Sequence, residues 1–338
     1  MSVWKHLAEL GGLTVHPFLA DDDIDTFEPD NDEHLAELVA SAPEPGAVAW
    51  KIATHFDAEL EFPEVLELFL KTVDTTQVRA LVIGYWATDI LDGDEEPVIG
   101  LLCAHADRFP ALRHLFVADI TSEEHEVSWI PPEDITPLLD AFPNLEELGY
   151  RFGQFRTAQP GHVLRPTRHA RLRKLVLQTG GMPAQLPRAV AACEFPALDH
   201  LDLWLGVDMY GGDATTADLA DLLDGTRHPA LRHLGLMNSE IQDEVAAAVA
   251  AAPVVARLRS LDLSMGTLSD TGAEALLAGR PLTHLERLAI HHHFLGDGAA
   301  RRLREALEPT GVTVDLSEAC TPWEAESPEE GRYTQVAE

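Results

Sequence analysis

One short phrase recurs along this chain and restricts its fold more than any other feature. It reads Pro110-Ala-Leu-Arg-His-Leu-Phe-Val, Pro143-Asn-Leu-Glu-Glu-Leu-Gly-Tyr and Ala170-Arg-Leu-Arg-Lys-Leu-Val-Leu. It returns as Pro196-Ala-Leu-Asp-His-Leu-Asp-Leu, Pro229-Ala-Leu-Arg-His-Leu-Gly-Leu, Ala256-Arg-Leu-Arg-Ser-Leu-Asp-Leu and Leu282-Thr-His-Leu-Glu-Arg-Leu-Ala-Ile. An upstream copy carries Val78, Leu81 and Ile83. Apolar residues stand at offsets 0, 3 and 5 of every copy, counted from its first anchor. Those anchors are Val78, Leu112, Leu145, Leu172, Leu198, Leu231, Leu258 and Leu285, separated by 34, 33, 27, 26, 33, 27 and 27 residues. A period of this length marks stacked supersecondary units. One strand-turn-helix unit cannot bury its own apolar side, and stacking makes that side continuous with the next.

Within a copy, offsets 3 and 5 share one face of a strand, because side chains alternate with period two. The second half of each unit changes period. Leu268 and Leu295 fall at offset 10, Asp270 and Asp297 at offset 12, and Leu276 and Leu303 at offset 18, inside helical stretches 271–278 and 298–307. Asp270 and Asp297 are expected to cap those helices by accepting from free backbone N–H groups. The fold class is therefore α/β: a leucine-rich-repeat solenoid, a horseshoe with a parallel sheet on the concave side and helices on the convex side. Residues 78–316 hold about eight repeats and a closing strand at 312–316. Residues 1–77 form an irregular N-terminal cap, with strands expected at 13–18 and 48–53 and helices at 32–40 and 62–73; a separate small domain is the alternative. Residues 317–338 are an acidic C-terminal tail, expected to be mobile beyond Glu326 or held as a capping arm by Trp323.

The units from Leu231 to Leu307 resemble ribonuclease-inhibitor-type leucine-rich repeats, most clearly in Leu261-Asp-Leu-Ser and Leu268-Ser-Asp-Thr-Gly-Ala-Glu-Ala-Leu. The whole chain is similar to a bacterial, actinomycete-type family of leucine-rich-repeat proteins. Val78-Arg-Ala-Leu-Val-Ile-Gly, His200-Leu-Asp-Leu-Trp-Leu-Gly, Tyr210-Gly-Gly-Asp-Ala and Asn238-Ser-Glu-Ile carry that likeness. The resemblance implies a fold and a bacterial cytosolic setting, and it brings no catalytic residues with it. The usual Asn at offset 8 is replaced by Gly180, Gly206, Gly266 or His293. Glycine follows the turn but offers no side chain to bond its backbone, so this edge should be looser or built differently.

Charge limits the partners. The chain has 57 acidic and 24 basic residues, a net charge of -33. It repels nucleic-acid phosphates and anionic lipid, and a basic protein or peptide suits it better. Cys103, Cys193 and Cys320 lack metal-knuckle spacing and read as reduced cytosolic thiols. No signal peptide or membrane span is legible, so the expected compartment is the cytoplasm.

Offsets 2, 4 and 6 of each strand should face outward on the concave side. The richest patch is expected where His200, Asp202 and Trp204 sit beside His233 and Met237, extended by Asp262 and His291. Trp204 is either a solvent-facing interface anchor or is packed under the 206–213 insertion. His291-His292-His293 cannot all face one metal in extended chain. Tyr210-Gly-Gly-Asp-Ala lacks the phosphate-loop ending, and Asp21-Asp-Asp with Asp25 lacks calcium-loop spacing and reads as a solvated segment. No catalytic residue or cofactor is assigned. The leading expectation is a non-catalytic module gripping a protein or peptide on its concave face. A metal-dependent or acid–base enzyme using His200, Asp202, His233, Asp262 and His291 is the alternative, and a regulatory protein working through its convex face or acidic tail is a third.

Overall fold

A computed structural model describes residues 3–20, 24, 31–86, 97–154, 161–323 and 331–337. The chain divides into two compact units, Met1–Phe152 and Gly153–Glu338. The Asp21-Asp-Asp segment and Asp25 lie outside the described residues, as does 324–330 of the tail.

The first unit contains β1 (Glu9–Leu10), β2 (Leu13–Pro17), α1 (Asp32–Ser41), β3 (Ala49–Ile52), α2 (Phe62–Thr72), β4 (Ala80–Ile83), α3 (Val98–Ala104), β5 (His114–Val117), α4 (Thr136–Ala141) and β6 (Glu147–Arg151). β1 pairs antiparallel with β2, and β2 to β6 pair parallel in chain order. Register follows the repeat: Ala80 lies opposite His114, and His114 opposite Glu147, all at offset 2. The inward rows Leu81, Leu115, Leu148 and Ile83, Val117, Tyr150 are buried. α2 begins in a capping box in which Glu61 and Glu64 each accept from the other's end of the turn. It presses Phe69 edge-on against Trp50 at 5.5 Å.

The other face of this sheet is covered. Ala49, Ala80, Val82 and Phe116 form one apolar cluster with Leu10, and Leu7, Leu13 and Val15 pack against it. Ala80, Val82 and Phe116 were expected to face solvent and do not, because the N-terminal segment folds over them. Its fastening is Asp119, fully buried, whose two carboxylate oxygens accept from Leu7 N–H at 3.2 Å each. His6 and Lys51 approach the same carboxylate at 3.3 and 3.7 Å. Burial pushes this carboxyl up, but the His6 hydrogen bond and the Lys51 charge outweigh it and hold it below its ordinary value.

The second unit contains β7 (Lys174–Gln178), α5 (Gln185–Ala192), β8 (His200–Gly206), α6 (Ala220–Asp224), β9 (His233–Ser239), α7 (Gln242–Ala251), β10 (Ser260–Asp262), α8 (Asp270–Ala278), β11 (Arg287–Ala289), α9 (Asp297–Leu307) and β12 (Thr313–Asp315). β7 to β12 are parallel and in chain order. Helices α8 and α9 bury Ala273 with Leu276, and Ala299 with Leu303 and Leu307, one stripe each. Among the described residues no helix is long and apolar enough to cross a membrane.

Two local devices replace the missing Asn. Buried Gln242 donates through Nε2 to Leu236 O at 2.8 Å and accepts from Ser239 N–H at 3.2 Å, closing its own post-strand turn. Asp243 works between repeats, accepting from Ser269 N–H at 2.8 Å, Ser269 Oγ at 2.6 Å and Gly272 N–H at 3.0 Å. Asp270 repeats the move one unit on, accepting from Gly296 N–H at 2.7 Å. The capping expectation is thus corrected. Asp270 and Asp297 are the first residues of α8 and α9, and their N-caps are Ser269 and Gly296. The start of α8 is held by Ser269 Oγ, which accepts from Thr271 N–H, together with Asp243 of the preceding repeat, and the start of α9 by Asp270.

The tail expectation is corrected in part. Gly331–Ala337 is not free: Thr334 and Val336 are buried, and Arg332 pairs with Asp243 at 2.9 Å. Composition alone suggested mobility; hydrogen bonds to turns far away in sequence hold the segment down. Asp243→Ala removes the carboxylate shared by α8 and the tail. It should cost about 1–3 kcal/mol, read as a lower urea midpoint with an unchanged slope.

Candidate functional site

In the second unit two solvent-side rows cross the strands. The first runs Lys174, His200, His233, Ser260, Arg287, Thr313, and the second runs Val176, Asp202, Gly235, Asp262, Ala289, Asp315. Carboxylates in the second row alternate with small residues. A Cβ at Gly235 would overlap Asp202 Oδ1, so this glycine leaves the space into which the carboxylate leans.

Asp202 uses that space to bridge two strands. Its Oδ2 accepts from His200 Nε2 and its Oδ1 from His233 Nε2, both at 2.8 Å. The two imidazoles stack with centroids 3.9 Å apart, 13° from parallel. His233 Nδ1 lies 2.6 Å from Ser260 Oγ on the next strand. With Nε2–H directed at the carboxylate, Nδ1 of a neutral His233 accepts the Ser260 hydroxyl proton. Burial pushes the Asp202 carboxyl up, and the hydrogen bonds from His200 and His233 overcome it, leaving Asp202 well below the usual carboxylate range. His200, Asp202 and His233 also offer three ligand atoms within 4.8 Å of one another.

The remaining expected residues go elsewhere. Trp204 is 1% exposed and Met237, opposite it in register, is also buried. Trp204 as a solvent-facing anchor is therefore corrected: its side chain is buried. Burial at this offset is shared along the array and is not special to Trp204: Ala118, Arg151, Gln178 and Ser264, also at offset 6, are equally buried. Asp262 is half-buried and its Oδ1 accepts from Ser264 N–H at 3.0 Å. Two strand spacings, about 9.6 Å, separate it from Asp202. His291 faces Glu318, with Nδ1 3.8 Å from Oε2, and does not join the cluster. Its neighbours are structural: buried His293 donates through Nε2 to Leu316 O at 3.3 Å and accepts from Leu295 N–H at 3.1 Å. Ser260, in the same outward-facing column, was not among the residues expected in the patch. The signal was there: Ser260 occupies the same offset as His200 and His233.

No family model matches the chain, and no curated protein matches it. A crystal structure of a Bacteroides fragilis protein from a structural genomics programme is similar in fold, with a TM-score of 0.72 and 24% identity. The match covers 90% of this chain and 85% of that one.

The sign of the acid response follows from Asp202. Its lowered folded value means that its stabilisation is fully present above the ordinary value of 3.8 and is lost as pH falls below it. Asp202→Asn should therefore lower the urea midpoint at about pH 5, where the carboxylate is ionised. The gap to the parent chain should close in stronger acid; a gap that stays constant there would disprove the ionised bridge.

Proposed function

We propose that this chain is a leucine-rich-repeat horseshoe of the bacterial cytoplasm, and that it acts without catalysis, gripping a basic protein or peptide on its concave face. One observation carries this reading: the in-register row Asp202, Asp262, Asp315, in which carboxylates stand on alternate strands with Gly235 and Ala289 between them. Successive carboxylates are about 9.6 Å apart, two strand spacings. Three residues of extended peptide span about 10 Å, so cations at every third position of a partner would meet them in turn. The negative charge of -33 adds attraction over a longer range and speeds encounter. Asp202 is already ionised and oriented by two imidazoles, so a partner finds that acceptor preorganised.

A second reading draws on the Asp202–His233–Ser260 relay, which orders an acid, a base and a hydroxyl as acyl-transfer sites do. It departs from that pattern because the carboxylate takes Nε2 and the hydroxyl Nδ1. A fluorophosphonate probe that labels Ser260, and fails to label Ser260→Ala or His233→Ala, would move the assignment to this reading.

The leading reading is tested with the full chain as bait in its host extract. Stoichiometric capture of a basic partner at low salt should weaken steeply as ionic strength rises, and Asp202→Asn with Asp262→Asn should weaken it about tenfold, some 1.4 kcal/mol. Capture that withstands both salt and the double substitution would refute the concave-face assignment.

A further inference from the structure

Among the described residues of the second unit, the non-glycine positions with positive φ are Asn238 at 55°, Met265 at 71°, His292 at 51° and Glu318 at 57°. They occupy the post-strand turns of successive repeats. Methionine, histidine and glutamate rarely adopt this conformation, so a row of such turns needs an explanation beyond chain reversal. Every one of the four contacts the same object, the C-terminal segment Gly331–Ala337. His292 Nε2 donates to Tyr333 O at 3.1 Å, and Gln335 N–H donates to Met265 O at 2.8 Å. Gln335 Nε2 donates to Glu318 Oε2 at 3.1 Å. Asn238, itself fully buried, clamps Val336: its Nδ2 donates to Val336 O at 2.5 Å and its Oδ1 accepts from Val336 N–H at 3.0 Å.

Most of these bonds read main chain, which any extended peptide offers. The spacing also fits an extended strand. From Tyr333 to Val336 the segment passes from the turn at His292 to the turn at Asn238, two strand spacings or about 9.6 Å. Three residues of extended chain cover about 10 Å. Side chains then add selectivity at three points. Arg332 reaches Asp243 Oδ2 at 2.9 Å and Thr267 O at 3.0 Å. The Tyr333 ring meets His292 and Phe294 edge-on at 5.4 and 5.3 Å and stacks on Trp323 at 5.2 Å. Val336 is buried.

We propose that the turn row Asn238, Met265, His292 is a peptide-binding groove, and that Gly331–Ala337 is its displaceable ligand in cis. The groove takes an extended peptide with arginine, then an aromatic residue, then an aliphatic residue three positions later. It lies on the strand ends, apart from the carboxylate row of the concave face. It shares with the reading given above only the premise that this chain is a peptide-binding module. A segment tethered beside its own groove competes at an effective concentration of about a millimolar, so an incoming peptide binds weakly until the cis copy is released.

The probe is a fluorescent synthetic peptide with the sequence of residues 331–338, Gly-Arg-Tyr-Thr-Gln-Val-Ala-Glu. It is titrated into the intact chain and into full-length Arg332→Glu/Val336→Gly, whose circular dichroism and urea midpoint confirm folding. The doubly substituted chain should bind one peptide at least about tenfold more tightly than the parent. Adding Asn238→Gly, which keeps the positive φ and removes the amide clamp, should abolish that binding, while Asp262→Asn should leave it unchanged. Absence of binding to the folded double variant overturns the proposal. So does binding that survives Asn238→Gly and is lost with Asp262→Asn, a result that places the peptide on the concave face and leaves the earlier reading intact. In the unmodified chain, the Gln335 and Val336 amides should exchange through local opening, faster than those of β9 and β10. Exchange of those amides only on global unfolding also overturns it.

Discussion

Each parallel strand in either unit takes its hydrogen-bond partners from the strand of the neighbouring repeat, never from its own. That single constraint orders everything built on it. Because pairing is parallel and residues at equal offsets face one another, a side chain chosen at one offset is placed beside the same offset of the next repeat. Leucine at offsets 3 and 5 then makes continuous buried rows, and every leucine so buried contributes about 1.5–3 kcal/mol against the entropy of ordering the chain. The same registration decides which polar groups meet on the open face. His200 stacks on His233 for the reason that Leu201 stacks on Leu234.

Registration leaves two kinds of surface unfinished, and the chain's own ends finish both. In the first unit apolar residues at offsets 2 and 4 would face water, and the segment around Leu7 and Leu10 covers them, fastened through Asp119. In the second unit the post-strand turns present strained, hydrogen-bonding backbone, and Gly331–Ala337 lies along them. Both fastenings rely on a side chain that bonds main chain: a buried carboxylate holding Leu7 N–H, and a buried amide holding Val336. Bonds of this sort cost little in sequence specificity and are expensive to leave unmade once buried. Acid protonates an Asp119 carboxylate that His6 and Lys51 hold below its ordinary value, and burial makes His292 costly to charge even though its bond to Tyr333 O favours the charged form.

The His200–Asp202–His233 cluster shows how much a glycine can decide. Gly235 separates Asp202 from Asp262 in the second row, and the room it leaves lets one carboxylate satisfy imidazoles on two strands. The three side chains are mostly buried and each is fixed by a hydrogen bond to another of the group.

The array was legible from sequence because its periodicity is one-dimensional. Anchors from Val78 to Leu285, the strand around each, and the helices near Phe62, Thr271 and Gly298 all follow from local alternation and from stacking that repeats itself. The His200–Asp202–His233 neighbourhood was legible for the same reason, since equal offsets on adjacent repeats become neighbours. What sequence could not supply was anything that breaks the repeat. Trp204 is buried where alternation placed it on the open face, and Asp270 serves a backbone one repeat away. Gly331–Ala337 reads as a mobile acidic tail until Asn238, 98 residues from Val336, is found bonded to it. Period and pattern fix neighbours along a solenoid; contacts between its ends and its edges are long-range choices that only tertiary packing makes.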